Sequence, residues 1–321
     1  MNPPENQFST TQQATEPETS PARTEKPWHR VLTWVGRIVS MVCIGFLLFT
    51  VYRYKQELPP VRSDGGSILV GTAVVIFGLI SVGINALAWQ RIVRRLHPVS
   101  WKQAFSITGR SQIAKYLPGN VFHYLGKMIL ARREGLTTPV ILISILVETV
   151  LAVGTGAAIG LAGFGLAAPE YRTLSIVVLI GLLLSPLAWR LLKPRIRVIH
   201  EAIDRVGIPH LSQAVFCNGV NFLLFGTSAF LLAQNLWAEP LALGWWELTW
   251  GCALAWIVGF VTPGAPGGVG VREGILVALF SGQIGYPSAA ALFLALRMAQ
   301  VASDGVAFLL AAIVERNRHS S

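Results

Sequence analysis

A few ionisable residues stand where ionisable residues are costly. Glu148 is the sole charge between Gly135 and Pro169, Arg297 and Asp304 lie in the apolar run 287 to 314, and Arg272 ends a charge-free run that begins after Glu247. Charged side chains inside apolar segments default to functional candidates, because lipid exposure penalises them. Seven residues separate Arg297 from Asp304, so they share a helix face about 10 Å apart. They either bracket a ligand or pair with groups on other helices. Cations of this kind suit a phosphate, which arginine grips bidentately. Glu148 or Asp304 would then balance charge or carry a proton.

Further charges flank two breaks in the apolar pattern. Arg110, Lys115 and Lys127 surround Lys115-Tyr116-Leu117-Pro118-Gly119-Asn120, while Arg272 and Glu273 follow Thr262-Pro263-Gly264-Ala265-Pro266-Gly267-Gly268-Val269-Gly270. Proline removes a backbone donor and clashes with the preceding turn, so neither stretch, 103 to 132 or 248 to 282, reads as one straight helix. Each reads as two half-helices joined by a bend. Backbone that leaves helical geometry at membrane depth must line a polar cavity or be buried in protein. The glycines of the tips either bring free N–H groups to an anion at a half-helix N-terminus or allow tight hairpin packing. Lys127 either joins the site or snorkels to the interface, and Glu273 either joins it or neutralises Arg272. His123, without a partner motif, reads as structural.

Other chemistries find less support. A phosphate-binding P-loop needs Gly-Lys-Ser or Gly-Lys-Thr after its glycines, and a dinucleotide turn needs a preceding strand; here Gly270 leads into Val271 and Arg272. Glu57 and Asp64 could serve a glycosyl- or phosphotransferase acting on a lipid carrier, but they lack a histidine or metal cluster. Cys43, Cys217 and Cys252 sit in apolar stretches without metal-ligand spacing and read as packing residues. The reading therefore has no catalytic residue, no metal and no cofactor.

The elements that must position these residues follow from composition. Of the 321 residues 53% are hydrophobic and 13% charged, with formal net charge +10 and mean hydropathy +0.55. Soluble domains carry about twice that share of charge. Charge is absent between Asp64 and Arg91, Arg172 and Arg190, and Arg205 and Glu239, gaps that approach or exceed the roughly 20 residues needed to span a bilayer. Helices are expected at 31 to 53, 67 to 90, 137 to 163, 172 to 189, 212 to 235 and 287 to 314. Residues 1–27 read as a disordered cytoplasmic tail and 315–321 as a second tail. Gly156 and Gly160 mark a helix-packing face; Trp245, Trp246, Trp250 and Trp256 resemble an interfacial belt.

Residues 28–163 and 164–314 repeat one order: helix, helix, broken segment, helix. Both breaks carry Pro-Gly, a later glycine (Gly126, Gly270) and an Arg-Glu pair (Arg133 and Glu134, Arg272 and Glu273). Lysine and arginine favour the cytoplasmic side. Their clusters near Arg30, Arg94, Arg195 and Arg316 fall on one side only if each broken segment re-enters and leaves on its own side. The expected fold is thus an all-α polytopic membrane protein with an inverted-topology repeat, six full transmembrane helices and two re-entrant hairpins; eight crossings is the alternative. Both termini would be cytoplasmic. Inverted repeats with broken helices at the midplane are a secondary-transporter architecture.

At the two breaks, with Arg132-Arg133-Glu134-Gly135 after the first and Val271-Arg272-Glu273 after the second, the sequence resembles the transmembrane region of the lysylphosphatidylglycerol synthase family, also called the flippase-like domain family. The resemblance covers about 31 to 314. It implies movement of aminoacylated phosphatidylglycerol, which in full-length relatives a separate cytosolic domain makes. This chain ends about seven residues after its last expected helix, so synthase activity is not expected; stand-alone relatives handle other lipids, including lipid-linked sugars and hopanoid-type lipids. The resulting expectation is a flippase or lipid-handling transporter of an inner membrane. Arg110, Lys115, Asn120, Arg272 and Arg297 would bind an anionic headgroup between tips formed by Pro118, Gly119, Pro263, Gly264, Pro266, Gly267, Gly268 and Gly270. Glu148, Glu273 and Asp304 would be the buried acids. The partner would be a membrane phospholipid or lipid-linked substrate, with no nucleic acid; a lipid-synthesis enzyme or glycosyltransferase is a possible companion, which the third reading, a scaffold for a synthase, would require.

Overall fold

A computed structural model describes residues 64–116, 122–178, 180–181, 204–263 and 265–319, together with Gly45, Tyr52, Pro60 and Arg62. The expected helix at 31 to 53 apart from Gly45 and Tyr52, most of that at 172 to 189, the 190 to 205 loop up to residue 203, and Pro118, Gly119, Asn120 and Gly264 lie outside the described residues. Within them the protein is all helix. Four long helices, α1 (Gly65–Val93), α4 (Thr138–Ala167), α5 (Ile208–Asn235) and α8 (Tyr286–His319), have 29, 30, 28 and 34 residues and are long and apolar enough to cross a membrane. The chain is an all-α polytopic membrane protein. The last helix runs on to His319, beyond the expected end at 314.

Two pairs of short helices occupy the broken stretches. α2 (Trp101–Gln112) and α3 (Phe122–Arg133) have 12 residues each, about 18 Å at 1.5 Å per residue. α6 (Trp245–Val261) and α7 (Val271–Ile284) have 17 and 14, about 21 to 26 Å. None reaches across a hydrocarbon core of about 30 Å. The bends are 3₁₀ turns, Ile113–Tyr116 in the first pair and Pro266–Gly268 in the second.

Hydrogen bonds at the helix ends show where each pair enters. Gln103, in the first turn of α2, donates to Glu134 just past α3 at 2.9 Å; Arg318 at the end of α8 grips the same carboxylate at 2.7 Å. The first pair therefore begins and ends at one end of the bundle. The α8 helix finishes there too, so its start, joined to α7 through Gly285 at φ 78°, lies at the opposite end. The long helices α1 and α5 run antiparallel: Arg62 N–H donates to Leu236 O at one end, and Arg95 donates to His210 Nε2 at the other.

Interhelical contact follows a reciprocal scheme. α1 packs on α5; α4 packs on α6 just as α8 packs on α2. Small residues allow this, because lipid supplies no hydrophobic drive between helices and close approach must supply dispersion instead. A Cβ added to Gly156, Gly160 or Gly163 of α4 would stand 2.7 Å from Phe222, 2.7 Å from Leu254 or 2.1 Å from Trp250 respectively. On α2, one at Gly109 would stand 2.8 Å from Ala311 of α8. Trp250 is thus a buried packing residue rather than a belt residue, whereas Trp245 and Trp246 are exposed. Leu142, Leu146 and Val150, spaced by one helical turn, form an outward apolar stripe, as a lipid-facing helix requires. Cys217 and Cys252 are buried free thiols.

Candidate functional site

The two bends meet. A Cβ at Gly267 would lie 3.2 Å from the carbonyl oxygen of Lys115, a separation that only glycine leaves comfortable, and Gly267, Gly268 and Gly270 all have positive φ, which costs glycine nothing. The second bend also makes room for one side chain. Arg272, in the first turn of α7, is threaded between Gly259 of α6 and Gly268, whose added Cβ atoms would fall 2.5 and 2.6 Å from it. The guanidinium then lies 5.7 Å from the centre of the Trp256 ring, within cation–π range. These glycines are therefore explained by close packing of the tips and of Arg272.

A cavity of about 180 Å³ opens beside the meeting point, bounded by α1, α5 and α8 with the tips. Lys115, Arg272, Arg297 and Asp304 all line it. Asp304 accepts from Lys115 Nζ at 2.7 Å and from Tyr116 OH at 2.6 Å. Arg297 faces Glu273 at 3.6 Å, donates to Gly267 O at 3.4 Å and stands 5.4 Å from the Tyr116 ring centre. Glu273 also accepts from Gly270 N–H at 2.6 Å, capping α7. The acid next to Arg272 in sequence is consequently committed to Arg297 and the helix cap, not to its neighbour. Among the described residues no carboxylate lies within ion-pair distance of Arg272, and its buried Nε has no hydrogen-bond partner. Three cations meet two carboxylates, so the cluster keeps one positive charge, concentrated on Arg272 at an already positive helix N-terminus.

The other sequence candidates are placed elsewhere. Arg110 pairs with Glu315 near the end of α8 and does not line the cavity. Glu148 accepts from Lys127 Nζ at 2.6 Å, and that ammonium stands 4.5 Å over Trp89, whose indole N–H donates to Ser144. Lys127 is buried, with 5% of its surface exposed, so it does not snorkel. The His123 ring lies 3.7 Å from that of Tyr124, tilted by 40°, with its Nδ1 buried and unpartnered. In each short-helix pair the second helix is thus tied to the following long helix by an ion pair, Lys127 with Glu148 and Glu273 with Arg297, with the signs exchanged.

The cavity has a second lining that charge-based reading missed. Ser81 donates to Asn221 Oδ1 and Asn221 Nδ2 to Asn85 Oδ1, both at 2.8 Å, tying α1 to α5; Asn218 stands beside them. Its signal was visible as asparagines in otherwise apolar helices, polar groups that a bilayer tolerates only when they have partners.

A helical membrane protein in which two interrupted helix pairs meet beside a cation-lined cavity is the class that fold and site define. Family comparison takes the identification further. The model described as Lysylphosphatidylglycerol synthase TM region matches residues 33–303, and the chain belongs to that family. The match is to the membrane region, which makes this a membrane protein of lipid handling. No curated protein matches the chain.

Proposed function

We propose that the protein is a lipid flippase or lipid-handling transporter of the inner membrane, holding an anionic headgroup between two opposed re-entrant hairpins, and that it acts without enzymatic chemistry. The observation that carries this reading is Arg272: a cation without a carboxylate partner, held over Trp256 and facing a polar cavity at hairpin-tip depth. An unpaired charge there is costly, and a phosphate would supply the missing counter-charge and accept from the orphaned Nε.

The topology supports transport through an inverted repeat. Residues 28–163 and 164–314 form its halves, and the antiparallel run of α1 against α5, the reciprocal packing of α4 on α6 and α8 on α2, and the sign-exchanged ion pairs are what a pseudo-two-fold axis between them would generate. The positive loops lie on the cytoplasmic side, and both termini with them. Rocking one half against the other would alternate access to a site at their junction.

The test is reconstitution of the full chain into liposomes containing fluorescent phosphatidylglycerol, with a quencher added outside. Wild-type protein equilibrates the label between leaflets, and Arg272→Ala slows that rate by at least about tenfold, the scale of one buried charge-assisted interaction. An unchanged rate in Arg272→Ala, or no lipid movement by well-folded wild type, sinks the reading.

A further inference from the structure

The lining of the cavity specifies more than a negative charge. One side carries the cations. The other, on α1 and α5, is uncharged: Ser81, Asn85, Asn218, Asn221 and Ser228 stand there among apolar side chains such as Phe77 and Phe225. Asn218 is 95% buried, since only 5% of its surface is exposed, and its Nδ2 has no hydrogen-bond partner among the described residues. A buried amide donor without an acceptor is costly, and the residue that carries it is among those lining the cavity. The Ser81–Asn221–Asn85 chain runs toward Asn85 and leaves the Asn85 amide N–H groups to donate further. Carboxamides and hydroxyls both donate and accept, which matches a ligand that does the same: neutral hydroxyl groups.

Ammonium groups find no such match. Among the described residues lining the cavity, Asp304 is the one carboxylate, and it is already held by Lys115 and Tyr116. A lysyl ester would bring two ammonium groups into a cluster whose charge is already positive. Like charges in a low-dielectric space repel strongly, and no further acid among the described lining residues offsets them.

Building on the lipid-handling reading, we infer that the cavity selects a phosphodiester bearing a neutral polyol, with Arg272 on the phosphate and the Asn218–Asn221–Asn85 face on the hydroxyls, and rejects the ammonium-bearing headgroup for which the family is named. Such a polyol phosphodiester could come from glycerophospholipid or from a sugar joined through phosphate to a polyprenyl chain. The cavity chemistry is the same for both.

The test measures lipid retention by the full chain in detergent, using native mass spectrometry with four probes of matched chain composition where chemistry allows. These are phosphatidylglycerol, lysyl-phosphatidylglycerol, phosphatidylmethanol (the same phosphodiester charge without hydroxyls) and a short polyprenyl phosphohexose. Phosphatidylglycerol, the polyprenyl phosphohexose or both bind at least about tenfold tighter than phosphatidylmethanol and lysyl-phosphatidylglycerol, the scale of one buried hydrogen bond. Which of the two binds identifies the source. Asn218→Leu brings the preferred lipid down to the phosphatidylmethanol level and leaves phosphatidylmethanol itself unchanged. If lysyl-phosphatidylglycerol binds as tightly as the polyol lipids, or phosphatidylmethanol does, the inference is overturned. The four-way comparison on wild-type protein decides this even where Asn218→Leu does not fold. Loss of all binding in Arg272→Ala tests the broader lipid-handling reading separately, so the two can fail independently.

Discussion

The Lys127–Glu148 pair provides the sharpest test of which buried charges are scaffold. Its Nζ and Oε2 are 2.6 Å apart, with side-chain exposures of 6% and 18%, and Trp89 covers the ammonium. At an effective dielectric constant of 20, two unit charges 4 Å apart attract by about 4 kcal/mol, a gain set against desolvation of both ions. Removing one partner strands the other, which costs about 3–5 kcal/mol. Replacing both by apolar groups of similar volume removes the attraction and the desolvation together, and is near neutral. Lys127→Met and Glu148→Leu are therefore each expected to destabilise by about 3–5 kcal/mol, and the double variant by about 1 kcal/mol or less, a coupling far above the roughly 0.5 kcal/mol scatter of independent sites. The assay is a denaturant titration of each variant in mixed micelles, read by intrinsic tryptophan fluorescence, alongside lipid movement in liposomes. Additive single effects would refute the pairing. A stable double variant that no longer moves lipid would refute the scaffold role and put Glu148 in the transport cycle.

Two further expectations concern packing and topology. Gly163→Ala forces a Cβ into Trp250 and destabilises by about 1–3 kcal/mol as an overpacked contact, whereas Gly154→Ala, with nothing within 4 Å of its added Cβ, is neutral or stabilises by about 0.5–1 kcal/mol through helix propensity; thermal unfolding in detergent separates them, and equal effects would contradict the α4–α6 contact. Single cysteines in a cysteine-free background at Lys102 and Arg132 label from one face of the membrane, while those at Glu239 and Gln283 label from the other; labelling of Lys102 and Arg132 from opposite faces would mean that α2 and α3 together make one crossing rather than re-enter.

Much of this fold was legible because a bilayer makes the grammar of a sequence simple. Charge-free gaps located α1 and α5, and proline with glycine marked both bends, since no lipid-buried helix continues through Thr262 to Gly270. Pairing was not legible. Arg272 and Glu273 are adjacent, which suggested mutual neutralisation, yet successive residues on a helix point about 100° apart, and Glu273 turns to the Gly270 cap and to Arg297 on α8. Lys127 looked able to snorkel because a hydropathy pattern records depth poorly within a short hairpin limb; Glu148, 21 residues on, holds it inside. Arg110 flanks the first bend in sequence but pairs with Glu315 near the end of α8, because it stands on α2, which packs along α8. The carboxamide face escaped notice for a different reason: asparagines carry no charge, so a search for charges in apolar segments passes over them.

The reciprocal packing also bears on why the site is asymmetric. Two halves related by a pseudo-two-fold axis would bring equivalent bends together, and equivalent residues would then face their own counterparts. Like charges cannot do that at low dielectric, so the tips must differ. The first tip region contributes Lys115 and reaches across to Asp304 of the other half; the second contributes Arg272 and holds it by glycine-shaped space and Trp256 instead of by an acid. One cation is neutralised within the protein, and on the proposed reading the other is left for a ligand. On the proposed reading, a ligand that satisfies Arg272 would also have Lys115 within the same cavity, where its phosphate would compete with Asp304 for the ammonium. Binding and the contact between the two halves would then, on the proposed reading, be linked through this ion pair, and a headgroup at the tips would have a direct means of loosening one half from the other.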